Sequence, residues 1–198
     1  MITLYSVCNH LSALLGTYIH NSHLSFKKCF CYDKNVSYKI IILAPSAGGK
    51  STLMRYLREH STLHVVETDE EVLKANNGTW PKDDYKHKVL MPQITNEIIS
   101  QANIVYLAKE MPDGSLRKAR ENGFKIIVLK LSLQRLDARN AKRMNEEGYD
   151  DASQWFKGQL EHLENLSKLG LVDEYIDGNL PTAEIADKIN NLLSVADM

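Results

Sequence analysis

From residue 38 onward the apolar positions fall into short β-branched runs, separated by stretches with the three-to-four-residue spacing of helices. Strands are predicted at 39–44, 63–68, 103–108, 124–131 and 172–176. Helices are predicted at 51–59, 85–100, 115–122, 133–145, 152–169 and 182–195. In 85–100 the inward residues read as Val89, Ile94, Ile98 and Ile99. Strands alternating with helical crossovers imply an α/β protein whose parallel sheet is covered on both faces. Such sheets bind ligands at the carboxyl ends of their strands, so the residues just after each strand carry most weight.

The first of these junctions is the most informative. Residues Ala44, Pro45, Ser46, Ala47, Gly48, Gly49, Lys50 and Ser51, followed by Thr52, give A-x-x-x-x-G-K-S, a Walker A loop with Ala in place of the usual first Gly. Gly48 and Gly49 let the backbone curl so that several N–H groups face one anion, Lys50 can reach the terminal phosphates, and the Ser51 hydroxyl can coordinate Mg²⁺. A helix starting near Lys50 aims its positive end at the same phosphates. This stretch predicts binding of a nucleoside triphosphate, ahead of an incidental glycine turn between a strand and a helix.

After the second strand come Glu67, Thr68, Asp69 and Glu70. If Val66 points into the sheet, Glu67 and Asp69 both project on the loop side, where they could hold Mg²⁺ through water and accept a proton from an attacking hydroxyl. The same letters also suit an acidic helix start near Glu70, capped by Thr68 or Asp69. Arg135, Arg139 and Arg143, spaced by four, put three guanidinium groups along one helix face. Polyphosphate is the anion that matches them, with Arg139 and Arg143 the phosphate contacts and Arg135 structural. The alternative is an exposed basic face paired with Asp137, Glu146 and Glu147. After the third strand, Gly114 and Ser115 could cradle an anion and Arg117 bind acceptor charge, or Ser115 could simply cap a helix. Trp80 could line an acceptor pocket or pack in a core or lid.

Composition narrows the class. The 198 residues are 43% hydrophobic and 25% charged with a formal net charge of −1, which suits one globular domain and argues against a nucleic-acid partner. No apolar run approaches the roughly 20 residues of a membrane helix. Residues 1–37 stand apart as a loosely ordered extension with one short helix at most, and 38–198 form the domain. All three cysteines, Cys8, Cys29 and Cys31, lie in that extension, beside His20 and His23; the spacing fits no usual zinc pattern. The cysteine-free remainder suits a reducing cytoplasm. Neither a secretory signal nor a targeting presequence is expected, since no Lys or Arg precedes the apolar stretch 11–19 and the extension has no Arg. A monomer or homodimer is expected.

Over about residues 39–195 these features resemble the nucleotide and small-metabolite kinase branch of P-loop proteins: shikimate kinase, gluconate kinase and adenylate kinase. The resemblance implies a three-layer fold with a five-stranded parallel sheet in order 2-3-1-4-5 and a mobile lid at about 135–151. In shikimate kinase a D-x-D follows strand two, its first Asp serving Mg²⁺ and its second the acceptor; Glu67-Thr68-Asp69 is similar, with Glu in the first place. By the same likeness Arg139 flanks the adenine, Arg143 reaches the transferred phosphate, and the loop Asp177-Gly178-Asn179-Leu180-Pro181 lies on the adenine side. Two departures stand out. Adenylate kinases carry an Arg between strands two and three, whereas this chain has no Arg between Arg58 and Arg117, and Lys82, Lys86, His87 and Lys88 are the cationic candidates for that place. Shikimate kinases show a Gly-rich turn after strand three, where only Gly114 is available here.

The leading expectation is therefore an ATP- and Mg²⁺-dependent phosphotransferase, with Lys50, Asp69 and Arg143 catalytic and Ser51 and Glu67 serving the metal. A nucleoside monophosphate is the first choice of acceptor, because the stretch 69–102 has room for a binding subdomain. A metabolite hydroxyl follows closely. A nucleotide switch or acceptor-free ATPase is the second class. It lacks the N-K-x-D of GTPases, and only Glu110 is available as a Walker B acid. The third is a relative that binds nucleotide without catalysis, against which Gly49, Lys50 and Ser51 stand intact.

Overall fold

A computed structural model describes residues 37–194. The readings made for the extension, its cysteines included, and for Val195 fall outside these residues. In chain order the elements are β1 (Lys39–Leu43), α1 (Lys50–His60), β2 (Val65–Glu67), α2 (Thr68–Ala75), α3 (Asp83–Tyr85), a π-helical turn (Lys86–Leu90), α4 (Met91–Ser100), β3 (Ile104–Ala108), α5 (Asp113–Glu121), β4 (Lys125–Lys130), α6 (Leu133–Glu147), α7 (Ser153–Lys168), β5 (Glu174–Asp177) and α8 (Thr182–Ser194). All strand pairs are parallel and the order is β2-β3-β1-β4-β5.

The central strand explains both layers. Ile41 and Leu43 of β1 face one side, where they join Val72, Ile94, Ile98, Tyr106, Leu116, Leu163 and Leu166. Ile40 and Ile42 face the other, against Leu53, Leu57, Ile185 and Ile189. A strand buried on both faces reads as a continuous apolar run, which is why its two sides could not be told apart by alternation. A third, smaller cluster of Ala47, Leu131, Leu136 and Phe156 seats α6 and α7 beside the loop after β1.

Two local expectations are corrected. The second strand is shorter than read, and Thr68 already belongs to α2. Neither Thr68 nor Asp69 caps that helix. Its N-cap is Glu67, without a side-chain cap bond. Instead, the Thr68 hydroxyl donates to the Leu107 carbonyl at 3.2 Å and lies 2.8 Å from the Tyr106 hydroxyl, tying the helix start to β3.

The helical stretch 85–100 is real but interrupted by the π-turn at Lys86–Leu90. A π-turn adds a residue to the helical repeat and shifts the phase of everything before it. Val89 consequently points outward, and Leu90 and Lys86 are buried in its stead. Ile94, Ile98 and Ile99, beyond the turn, are buried as expected.

Candidate active site

The loop after β1 closes on itself because of two residues. At Gly48 a Cβ would lie 2.7 Å from the Pro45 carbonyl oxygen and 3.0 Å from the Ala44 Cβ, so only hydrogen fits. Gly49, with φ of 91°, turns the chain in the left-handed region as the N-cap of α1. Ala47 also has positive φ, at 56°, an unusual conformation for a residue with a Cβ. Ala44 is fully buried and is not among the positive-φ residues, so the missing first Gly of the motif has no conformational consequence here.

Lys50 folds back under this loop and donates to the carbonyls of Ala44 and Pro45, both at 3.0 Å. The residue keeps some accessible surface while its ammonium is enclosed. Burial pushes its pKa down to about 8, against the upward pull of Glu67 and Asp69 and with the further downward push of Lys109 and Arg143. An enclosed ammonium held only by carbonyls is what an incoming polyphosphate would stabilise.

The Ser51 hydroxyl donates to Glu67 Oε1 at 3.2 Å. Glu67 is only 6% exposed, and burial raises its carboxyl pKa in spite of the Ser51 bond and Lys50. Two hard oxygen donors side by side at the foot of the loop suit Mg²⁺, which prefers one or two protein oxygens together with water and phosphate. Asp69, two residues further, is exposed, and its charge is felt at both Lys50 and Lys86.

The arginine face divides as follows. Arg139 Nη1 donates to the Gly48 carbonyl at 3.2 Å and Nη2 to the Gly178 carbonyl at 2.7 Å, so its guanidinium spans the cleft between the loop and the end of β5. Burial, then Arg135, lowers its pKa, with Asp177 opposing. Arg143 lies with its guanidinium 4.0 Å from the centroid of the Tyr149 ring. Arg135 is exposed. Among the described residues, Asp137, Glu146 and Glu147, the alternative partners of this face, form no ion pair with its arginines; Glu146 pairs with Lys142, at 3.6 Å. Pro181 is exposed immediately before α8.

Sequence reasoning missed Gln159. This buried residue of α7 accepts from the Ser46 backbone N–H at 2.8 Å and donates to the Ser46 hydroxyl at 3.2 Å. No local pattern signals a pairing between residues so far apart in the chain. Asn140, also buried, was passed over for the same reason. It donates to Asp151 at 2.7 Å and accepts from the Ala152 N–H at 3.2 Å, fastening the turn between α6 and α7.

A cavity of about 380 Å³ opens beside the loop, lined among others by Thr68, Lys86, Thr95, Lys109, Glu110 and His162. Ser115 lines it, whereas Arg117 is exposed and does not. Trp80 is not on the lining; its ring lies 4.2 Å from the Lys86 ammonium, behind the wall.

No protein-family model and no curated protein sequence matches the chain. Solved structures do. A shikimate kinase from Acinetobacter baumannii in complex with shikimate aligns with a TM-score of 0.60 at 19% identity, covering 81% of this chain and 96% of that one. A gluconokinase from Sinorhizobium meliloti 1021 gives 0.55 at 23% identity, covering 79% and 91%. A sugar kinase from Janibacter sp. HTCC2649 gives 0.56 at 17%, covering 80% and 95%. At these identities the likeness speaks for the fold. Over most of its length, the chain has the P-loop kinase fold of small-metabolite kinases.

Proposed function

We propose that this protein transfers the γ-phosphoryl group of ATP to a hydroxyl of a small metabolite. The observation that carries this is the pairing of a complete phosphate loop with a separate cavity, bridged by Asp69 and Lys109, whose charges are felt at both Lys50 and Lys86. An ATPase or switch needs the loop alone; a second, walled pocket beside it suits an acceptor. A metabolite hydroxyl is preferred to the nucleoside monophosphate first favoured by the length of 69–102, since the structural neighbours include shikimate and sugar kinases.

In this reading the loop N–H groups and Lys50 hold the β- and γ-phosphates, and Arg139 lies along the nucleotide. Ser51 and Glu67 hold Mg²⁺, directly or through water, and the ion supplies neutralisation of phosphate charge. Asp69 orients the acceptor hydroxyl and takes its proton. The hydroxyl oxygen forms a bond to the γ-phosphorus as the bond to the β–γ bridging oxygen breaks, and ADP leaves. Arg143 moves from Tyr149 to the transferred group as the lid closes and excludes water.

A coupled ADP-release assay over sugar acids, polyols, nucleosides and nucleoside monophosphates tests this. Acceptor-dependent turnover with at least one hydroxyl compound is expected, and full turnover without any acceptor would overturn it.

A further inference from the structure

Lys86 is in an unusual position for a lysine. It is 6% exposed, lines the cavity, and among the described residues its ammonium has no hydrogen-bond or ion-pair partner, only the face of Trp80. Asp69, Asp83 and Glu110 are near enough for their charges to register, yet none comes within ion-pair distance. A second cation makes matters worse, because Lys109 lines the same cavity and repels Lys86. Buried charges are normally paired, and like charges are not brought together without something between them. The π-turn is what delivers Lys86 inward, and such turns recur at functional positions.

We infer that Lys86 and Lys109 form the seat for an anionic group on the acceptor, which is accordingly a small hydroxyl compound carrying a carboxylate or a phosphate rather than a neutral sugar or polyol. This rests on the phosphoryl-transfer reading above and specifies its substrate. The Trp80 ring lies 4.2 Å from the Lys86 ammonium, a cation–π contact that fixes its direction, while burial, then Lys109, holds its pKa below the ordinary lysine value. Lys109, immediately after β3, is the member of the seat whose charge reaches Lys50 too. With the anion on the two lysines, the reacting hydroxyl is left to face Asp69, whose charge is felt at both Lys50 and Lys86. The apolar part of the lining, Met91, Pro92, Met111 and Pro112, accommodates the carbon skeleton.

The test is calorimetric titration of the full chain with its loop filled by Mg²⁺ and a non-hydrolysable ATP analogue. The probes are gluconate against glucitol, shikimate against its methyl ester, 5′-AMP against adenosine, and inorganic phosphate. At least one anion is expected to bind at millimolar concentration or below, with its neutral counterpart at least about tenfold weaker, the order of one charge-assisted contact. Lys86→Met and Lys109→Met should each weaken that anion about tenfold with little change in the neutral compound, and Lys86→Arg should restore part of it. In turnover, Lys86→Met should raise acceptor KM with kcat changed less than about threefold, since the seat does not touch the transferred group. Circular dichroism on each variant establishes that it is folded, and the less buried Lys109 provides the second variant. Equal binding of charged and neutral partners, absence of binding by every anion, or indifference to both lysine substitutions overturns the seat. Lysine-dependent anion binding with no acceptor-dependent ADP release supports the seat and overturns phosphoryl transfer instead.

Discussion

Gln159 grips Ser46 with both ends of its amide, accepting from the backbone N–H at 2.8 Å and donating to the hydroxyl at 3.2 Å. Helix α7 is thus fastened to the phosphate loop itself, and Arg139 adds a second tie from α6 through the Gly48 carbonyl. Two successive helices are thereby tied to the loop.

Gln159→Leu should remove both bonds and leave the Ser46 N–H without its partner. Unfolding in urea should show a loss of about 1–3 kcal/mol, the usual cost of stranding a buried donor. Nucleotide affinity should fall as well, because the loop is no longer preset. Unchanged stability and affinity would mean the amide is a bystander.

The loop's two small residues should respond in opposite ways. Gly48→Ala puts a methyl group 2.7 Å from the Pro45 oxygen and should weaken ATP binding at least about tenfold with the fold retained. Ala44→Gly restores the motif's usual letter, yet it should leave affinity unchanged and lower stability by about 1 kcal/mol, because Ala44 needs no glycine conformation. A gain in affinity from Ala44→Gly would contradict the loop geometry.

Lys50 predicts a proton linkage. Its free-state pKa of about 8 means that above that value the ammonium is largely deprotonated before nucleotide arrives. Bound phosphates favour the charged form, so binding at pH 9 should take up close to one proton, against almost none at pH 7. Calorimetry in two buffers of different ionisation enthalpy reads this directly; no buffer dependence at pH 9 would refute it. In the unliganded protein the lowered pKa is a stability cost at neutral pH. Stability should rise as pH climbs from about 8 towards the ordinary lysine range, where the unfolded chain binds the extra proton.

Glu67 carries the complementary cost. Burial raises its pKa, so the folded state holds the proton that the unfolded chain loses first, and its contribution to stability falls as pH rises through that window. Glu67→Gln should therefore raise Tm at pH 7 and change it less at pH 4, while increasing the Mg²⁺ needed for half-maximal turnover. A lower Tm at both pH values would mean that the carboxylate stabilises the fold.

Arg143→Ala should lower kcat more than ATP affinity, by about 100-fold, as expected for a group that meets charge only as it moves. A pure affinity loss would place Arg143 on the ground-state nucleotide.

The parts legible in the sequence were those set by local backbone chemistry. The loop at Ala44–Ser51, the strand–helix alternation and the Arg139–Arg143 face each depend on residues within a few positions of one another. Gln159 and Asn140 were invisible because their partners come from another element. The outward Val89 and the buried Lys86 escape periodic reading for a different reason. Helical spacing assumes a constant repeat, and the π-turn breaks it at the place where those two residues sit.

That turn has an evolutionary side. An α-helix advances about 100° per residue, so deleting one residue within Lys86–Leu90 would rotate the preceding segment by roughly that angle and carry Lys86 out of the cavity wall. One codon gained or lost, with no change at the phosphate loop, would suffice to exchange the side chain presented to the acceptor. In the proposed function, phosphate binding and the choice of recipient would thereby lie on separate pieces of the chain, and a lineage could alter the second while keeping the first.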